Sequence, residues 1–119
     1  YVNYCWTPIA GFSAFGSYTG NGSADGPFVY LGFRPKWVLL KNTGGVASWY
    51  ALDTARNTYN VMDNVLVPNT ASAEVAITSI DCLSNGFKLR TTTTDINGSG
   101  TTYIYAAFAE NPFKNALAR

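Results

Sequence analysis

Ser84-Asn85-Gly86-Phe87-Lys88-Leu89-Arg90-Thr91 decides the fold class of this chain. Phe87, Leu89 and Thr91 alternate with Lys88 and Arg90, the period-2 pattern of a strand with one buried face and one wet face. Asn85-Gly86 stands just before it, and Asn-Gly best tolerates positive φ at both centres of a tight hairpin turn. A strand entered through such a turn has an antiparallel neighbour.

The pattern spreads outward from there. Val75 and Ile77 alternate with Glu74, Ala76 and Thr78. Lys36-Trp37-Val38-Leu39-Leu40-Lys41 is apolar on both faces, as expected for a central strand covered on both sides, and Ser48-Trp49-Tyr50-Ala51-Leu52-Asp53 is similar. Further strands are expected at 1–7, 14–19, 28–31, 62–67 and 101–109. Turn signals separate them: Gly20-Asn21-Gly22, Asp25-Gly26-Pro27, Gly44-Gly45 and Asn97-Gly98. About nine short strands punctuated in this way predict an all-β fold, an antiparallel β-sandwich of jelly-roll or lectin-like type, rather than α/β. Helix is expected only at 54–57 and 115–119, and neither stretch is long enough to organise a core.

A length of 119 residues fits one domain that can bury a core without metal or disulfide staples. Charged residues make up 13% of the chain and aromatic residues 15%, against a usual charged share of about a quarter. The surface is therefore one of hydroxyls and amides, suited to packing against copies of itself or to meeting uncharged polar ligands. Eight Lys and Arg balance seven Asp and Glu, and the bases are scattered from Arg34 to Arg119, so no basic stripe for nucleic acid exists. No run approaches the ~20 apolar residues of a membrane-spanning helix, so membrane insertion is not expected. Cys5 and Cys82 have no spacing that argues for a disulfide, and two buried thiols in strands are expected.

Enzyme chemistry finds little purchase. The chain contains no His, which removes Ser-His-Asp triads, Cys-His pairs and His-based zinc sites; no metal site and no cofactor are expected. The seven carboxylates sit near turns or strand edges, with no pattern around any pair that marks a glycosidase. Asp95-Ile96-Asn97-Gly98-Ser99 resembles the start of a calcium loop, but the twelfth position, which needs a bidentate Glu, is Ala106; an Asx-type turn is the expected reading.

The richest polar-aromatic segment is 49–60. Trp49 or Tyr59 could offer a flat ring to the C–H face of a sugar, with Asp53, Arg56, Asn57 and Asn60 bonding its hydroxyls. The competing reading puts Trp49 or Tyr50 in the core and makes Asp53–Arg56 a local ion pair that pins a loop. Alternation sends Trp49 and Tyr50 to opposite faces, so at least one must point away from the interior.

Tyr1-Val2-Asn3-Tyr4-Cys5-Trp6 also rhymes with Tyr103-Ile104-Tyr105-Ala106-Ala107-Phe108. Strand propensity alone accounts for such a rhyme; a tandem repeat accounts for it too. Four stretches bear on the choice: 15–29 (FGSYTGNGSADGPFV), Gly32-Phe33-Arg34-Pro35, 84–90 (SNGFKLR) and the strand from Tyr103 to Phe113. Together they resemble a domain of unknown function that recurs in bacteriophage virion proteins, often near the C-terminus of tail fibres and sometimes in tandem. The resemblance implies that residues 1–12 are the closing strand and linker of a preceding unit and that 13–119 form a single β-sandwich domain. It implies a virion location, a homo-oligomer with a trimer favoured, neighbouring virion domains as partners, and attachment to the host surface through weak multivalent binding of a glycan. A purely structural module for fibre assembly or virion decoration, with no ligand of its own, is the alternative. In a phage protein, Asn21-Gly22-Ser23 and Asn97-Gly98-Ser99 are turns rather than glycosylation acceptors.

Overall fold

Alternating burial along eight strands builds two antiparallel sheets that share one core. The computed structural model describes residues 2–112. In chain order the strands are β1 (Ser13–Thr19), β2 (Phe28–Tyr30), β3 (Pro35–Asn42), β4 (Tyr50–Asp53), β5 (Met62–Val65), β6 (Val75–Leu83), β7 (Gly86–Leu89) and β8 (Thr102–Ala109), with a single helical turn α1 (Thr94–Asn97) before the last. The front sheet has the order β1-β8-β3-β4 and the back sheet β2-β7-β6-β5. The expectation of a two-layer antiparallel β fold is met, with eight strands among the described residues where about nine were expected.

Each sheet turns alternate residues inward. Val38 and Leu40 of β3 and Tyr103 and Ala107 of β8 enter the core from the front; Ile80 and Cys82 of β6 and Phe87 and Leu89 of β7 enter from the back. Each fully buried Leu, Ile or Phe among them contributes about 1.5–3 kcal/mol. On the outer side of the back sheet Asp81 faces Lys88 across the ladder, and Lys88 reaches Asp25 at 2.8 Å. Arg34, from the Gly-Phe-Arg-Pro stretch, ties the sheets together: it donates to the Cys82 carbonyl at 3.0 Å and pairs with Glu110 after β8 at 3.2 Å.

Several expectations need correction. Residues 2–8 form no strand; the segment lies outside the sandwich, and Tyr1 falls outside the described residues. Residues 54–57 form no helix: 54–56 are a turn, because the Asp53 carboxylate accepts the N–H groups of Ala55 and Arg56 at 2.9 and 2.8 Å and folds the chain sharply. The tail helix expected at 115–119 lies outside the described residues. The strand expected at 62–67 leaves the back sheet after Val65, and Leu66 bridges to Ala51 of the front sheet. β3 is covered on its second face only in part: Trp37 and Leu39 are half-buried on the outer side.

The hairpin at 84–91 also differs in detail. Leu83 pairs with Gly86, so Ser84 and Asn85 are the turn centres and Gly86 is the first residue of β7. Gly86 is not at positive φ. Its missing Cβ matters for space: a carbon there would stand 2.0 Å from the Val29 carbonyl oxygen of β2.

The two cysteines have different environments. Cys82 is buried beside Met62, whereas Cys5 is exposed, so the expectation of two buried thiols holds for Cys82 alone. Burial pushes the Cys82 thiol up to about 11. At pH 8 a thiol reagent is expected to modify one cysteine in the native protein, Cys5, and the second only in denaturant; native-state mass spectrometry showing rapid double labelling would contradict this placement.

α1 is the feature the sequence reading missed. Its four residues close one end of the sandwich, and three tyrosines aim at it. The Tyr18 hydroxyl donates to the Ile96 carbonyl at 2.8 Å, and the Tyr50 hydroxyl to the Asp95 carboxylate at 2.8 Å. The Tyr103 hydroxyl donates to the Thr94 carbonyl at 2.5 Å and accepts the Gly98 N–H at 2.7 Å. Burial foremost, and for Tyr50 the neighbouring Asp95 as well, hold the Tyr18 and Tyr50 phenols far above their usual range, so both remain donors. Asn97, fully buried, takes the Asn21 N–H on its oxygen at 3.0 Å. Its amide nitrogen donates to Ser23 and Thr91 carbonyls at 2.8 and 2.7 Å and to the Asn21 side chain at 3.2 Å. The stretch 95–99 is thus an internal fastener for the Gly20–Pro27 loop.

Candidate functional site

The site lies on the outer face of the front sheet. Antiparallel register places Phe15 of β1, Ala106 of β8, Leu39 of β3 and Ala51 of β4 in one row across that face. In the next row Phe108 lies opposite both Ser13 and Trp37. Phe108 meets Phe15 edge-on at 5.9 Å and Trp37 at 5.7 Å between ring centroids. Half-buried aromatic and aliphatic residues on an outward face explain why β3 reads as apolar on both sides.

Two further segments raise walls over this floor. Trp49, just ahead of β4, is 37% exposed, and its backbone N–H is held by the Asn69 side chain at 2.9 Å. From the other side Trp6 stacks on Phe15 with centroids 5.8 Å apart, and Tyr4 stands beside it. Between them runs an open groove of about 710 Å³, floored by Leu39, Ile104 and Ala106. Ser17 and Tyr4 bring hydroxyl-bearing side chains to its lining, and no charged residue among the described residues lines it; Tyr105, opposite Leu40, turns its ring inward onto Phe87. Burial moves the Tyr105 phenol upward, so it too stays protonated. Such a lining can hold flat or apolar surfaces and make a few directed hydrogen bonds. It brings together no nucleophile with a base, and no group of three or more His, Cys, Asp and Glu converges among the described residues.

The six residues singled out in 49–60 separate. Trp49 enters the groove, and Tyr50 turns into the core as alternation required. Arg56 pairs with Asp53 at 3.0 Å and with Glu74, binding the β4–β5 loop to the start of β6; the Glu74 hydrogen bond, foremost, raises the guanidinium further above its usual value. The Asn57 side chain accepts the N–H groups of Asp63 and Asn64 at 3.2 and 2.8 Å and donates to the Asp63 carboxylate at 2.8 Å. The Asn60 amide pairs with both backbone groups of Cys82 at 2.8 Å, imitating a ladder rung where β5 has not yet begun. These four polar side chains are committed to the fold. Tyr59 is 85% exposed and does not line the groove.

Sequence reasoning missed Trp6, Tyr4, Phe15 and Ile104 as site residues. The available signal was the surplus of aromatic and β-branched residues at outward positions of β1, β3 and β8.

No curated protein and no solved structure matches the chain. A family match does exist: residues 1–112 correspond to the family described as Domain of unknown function (DUF7483), and the N-terminal segment that walls the groove is inside the matched region. Matched over almost its whole length, the chain belongs to that family.

Proposed function

We propose that this domain is a non-catalytic attachment module of a phage virion appendage, such as a tail fibre, and that the front groove holds an uncharged glycan of the host surface. The observation that carries the reading is the groove itself, walled by Trp49, Trp6 and Tyr4 and lined by no charged side chain among the described residues. Indole and phenol faces suit the C–H faces of sugar rings, and the surrounding hydroxyls suit their O–H groups. One shallow site binds weakly, so the reading includes a homo-oligomer, a trimer by analogy with fibres, in which copies add avidity. Pairing of β1 with β8 on one sheet and β2 with β7 on the other nests the chain ends, in keeping with a jelly-roll or lectin-like form.

A glycan array and whole-cell binding assay with the domain and its native oligomer test this. Trp49→Ala is expected to weaken binding about tenfold or more, the usual cost of truncating a central aromatic anchor. Arg56→Ala and Tyr59→Ala are expected to leave affinity unchanged, since neither side chain reaches the groove. Absence of binding to any susceptible host by either form rejects the reading.

One observation favours a structural module instead. The floor of Leu39, Ile104 and Ala106 is as apolar as an interface core. If Trp6 and Trp49 become buried between subunits in the assembled appendage, the groove is an assembly contact.

A further inference from the structure

We infer that the outward edge of β1 is a strand-acceptor site, and that its occupant is this chain's own residues 3–7. The argument begins with hydrogen-bond parity. The Phe12 carbonyl accepts the Ala109 N–H at 2.8 Å, and the Gly20 N–H donates to Thr101 at 2.9 Å. Residues of β1 with even numbers therefore direct their backbone groups at β8, and those with odd numbers direct theirs away from it. Ser13 follows the rule: its N–H points outward and donates to the Ile9 carbonyl at 2.9 Å. The outward groups of Phe15, Ser17 and Thr19 have no strand partner among the described residues. This edge, Ser-Ala-Phe-Gly-Ser-Tyr-Thr, carries no charge and no proline, the usual devices that keep an edge from accepting a strand.

The occupant's register is already set. Ala10-Gly11-Phe12, with Gly11 at φ +74°, reverses the chain, and Ile9 forms an antiparallel bridge with Ser13. The Ile9 N–H donates to the Ser13 hydroxyl at 3.1 Å in place of the Ser13 carbonyl, so the first rung is half made in backbone terms and the hairpin goes no further in this structure. Continuing it pairs Thr7 with Phe15, Cys5 with Ser17 and Asn3 with Thr19, which are the three residues whose outward groups stand open. Pro8 falls between rungs, on the side away from β1, where its missing N–H costs nothing and blunts the new edge. The segment is otherwise poorly housed: Val2, Tyr4 and Trp6 are 79%, 81% and 66% exposed.

The segment thus has two seats. In one, Trp6 lies on Phe15 and the groove has its second wall. In the other, Trp6 and Tyr4 pair opposite Gly16 and Tyr18, turn to the opposite face of the sheet, and leave the groove. Control of the groove by this exchange rests on the attachment reading; the strand pairing does not.

Ser17→Cys tests the pairing in the 119-residue chain. Ser17 is exposed, so the substitution disturbs no packing, and an antiparallel rung brings the Cys5 thiol and the thiol introduced at position 17 within disulfide reach. Under oxidised glutathione, which takes up the two electrons and two protons, the variant is expected to lose both accessible thiols at monomer mass. It should do so roughly tenfold faster than Thr19→Cys, which is out of register with Cys5. Adding Cys5→Ser to Ser17→Cys should abolish the cross-link and so exclude Cys82 as partner. Persistently free thiols in Ser17→Cys, equal rates for the two variants, or a cross-link between two molecules would each overturn the proposal. A failed glycan assay with a successful cross-link would remove the groove's ligand and leave the strand site standing.

Discussion

Asn97→Ala is expected to be among the most damaging single substitutions in this protein, costing about 3–5 kcal/mol of stability. The side chain is fully buried and satisfies the Asn21 N–H, the Asn21 side chain and the carbonyls of Ser23 and Thr91. Truncation removes four hydrogen bonds at once and leaves a void where the buried amide stood. The Gly20–Pro27 loop loses its fastener, and β1 and β2, which that loop joins, lose their common end point. Asn97→Asp should be nearly as harmful, because a carboxylate cannot donate to two carbonyls and would be buried among them. Thermal unfolding checks this. A loss of that size lowers the midpoint by roughly 12–20 °C at about 4 °C per kcal/mol. A drop of less than about 3 °C would mean that the contacts around Asn97 do not hold the loop.

Gly86→Ala is the second large effect, expected at about 2–4 kcal/mol through overpacking. The added carbon would lie 2.0 Å from the Val29 carbonyl oxygen and 2.9 Å from the Phe28 ring, and the nearer obstacle is backbone that cannot rotate aside. β2 must move off β7, weakening the bonds by which Leu31 and Gly32 donate to the Asn85 carbonyl at 2.9 and 3.1 Å. Chemical denaturation measures the loss, and hydrogen exchange localises it to residues 28–32. Gly45→Ala is the matched control: nothing lies within 4 Å of its new carbon, and it should change stability by less than about 0.5 kcal/mol. A Gly86→Ala protein as stable as this control would show that β2 yields without cost.

The contrast between these glycines shows where sequence reading succeeds and where it stops. Alternation at 74–78 and 87–91 reports burial directly, so β6, β7 and the two-layer architecture are visible in the residues alone. Asn85-Gly86 is visible too, but for a different reason than dihedral angles suggest: the glycine makes room for β2, whose approach is a tertiary fact. α1 has no signal, since four polar or mixed residues carry no periodicity. What makes Thr94–Asn97 helical is the set of hydroxyls reaching it from Tyr18, Tyr50 and Tyr103.

The candidate site divides in the same way. Opposite orientation of Trp49 and Tyr50 follows from strand geometry, and the fold obeys it. Asp53, Arg56, Asn57 and Asn60 mislead because side chains able to bond a sugar are equally able to bond Glu74, Asp63 or the backbone of Cys82. Local sequence does not say which partner is nearer. The groove is hidden for a related reason, as its walls come from segments 4–6 and 49 and its floor from β3 and β8.

The two outer faces of the sandwich set up an asymmetry with a practical meaning. On the back, Lys88, Asp81, Arg90 and Asp25 are ion-paired, so any contact made there changes with dissolved salt. On the front, the groove offers rings, aliphatic carbons and hydroxyls, on which screening has no hold. Any contact made through the front groove would therefore escape the electrostatic weakening that added salt imposes on the back, and salts that are excluded from apolar surface would strengthen it.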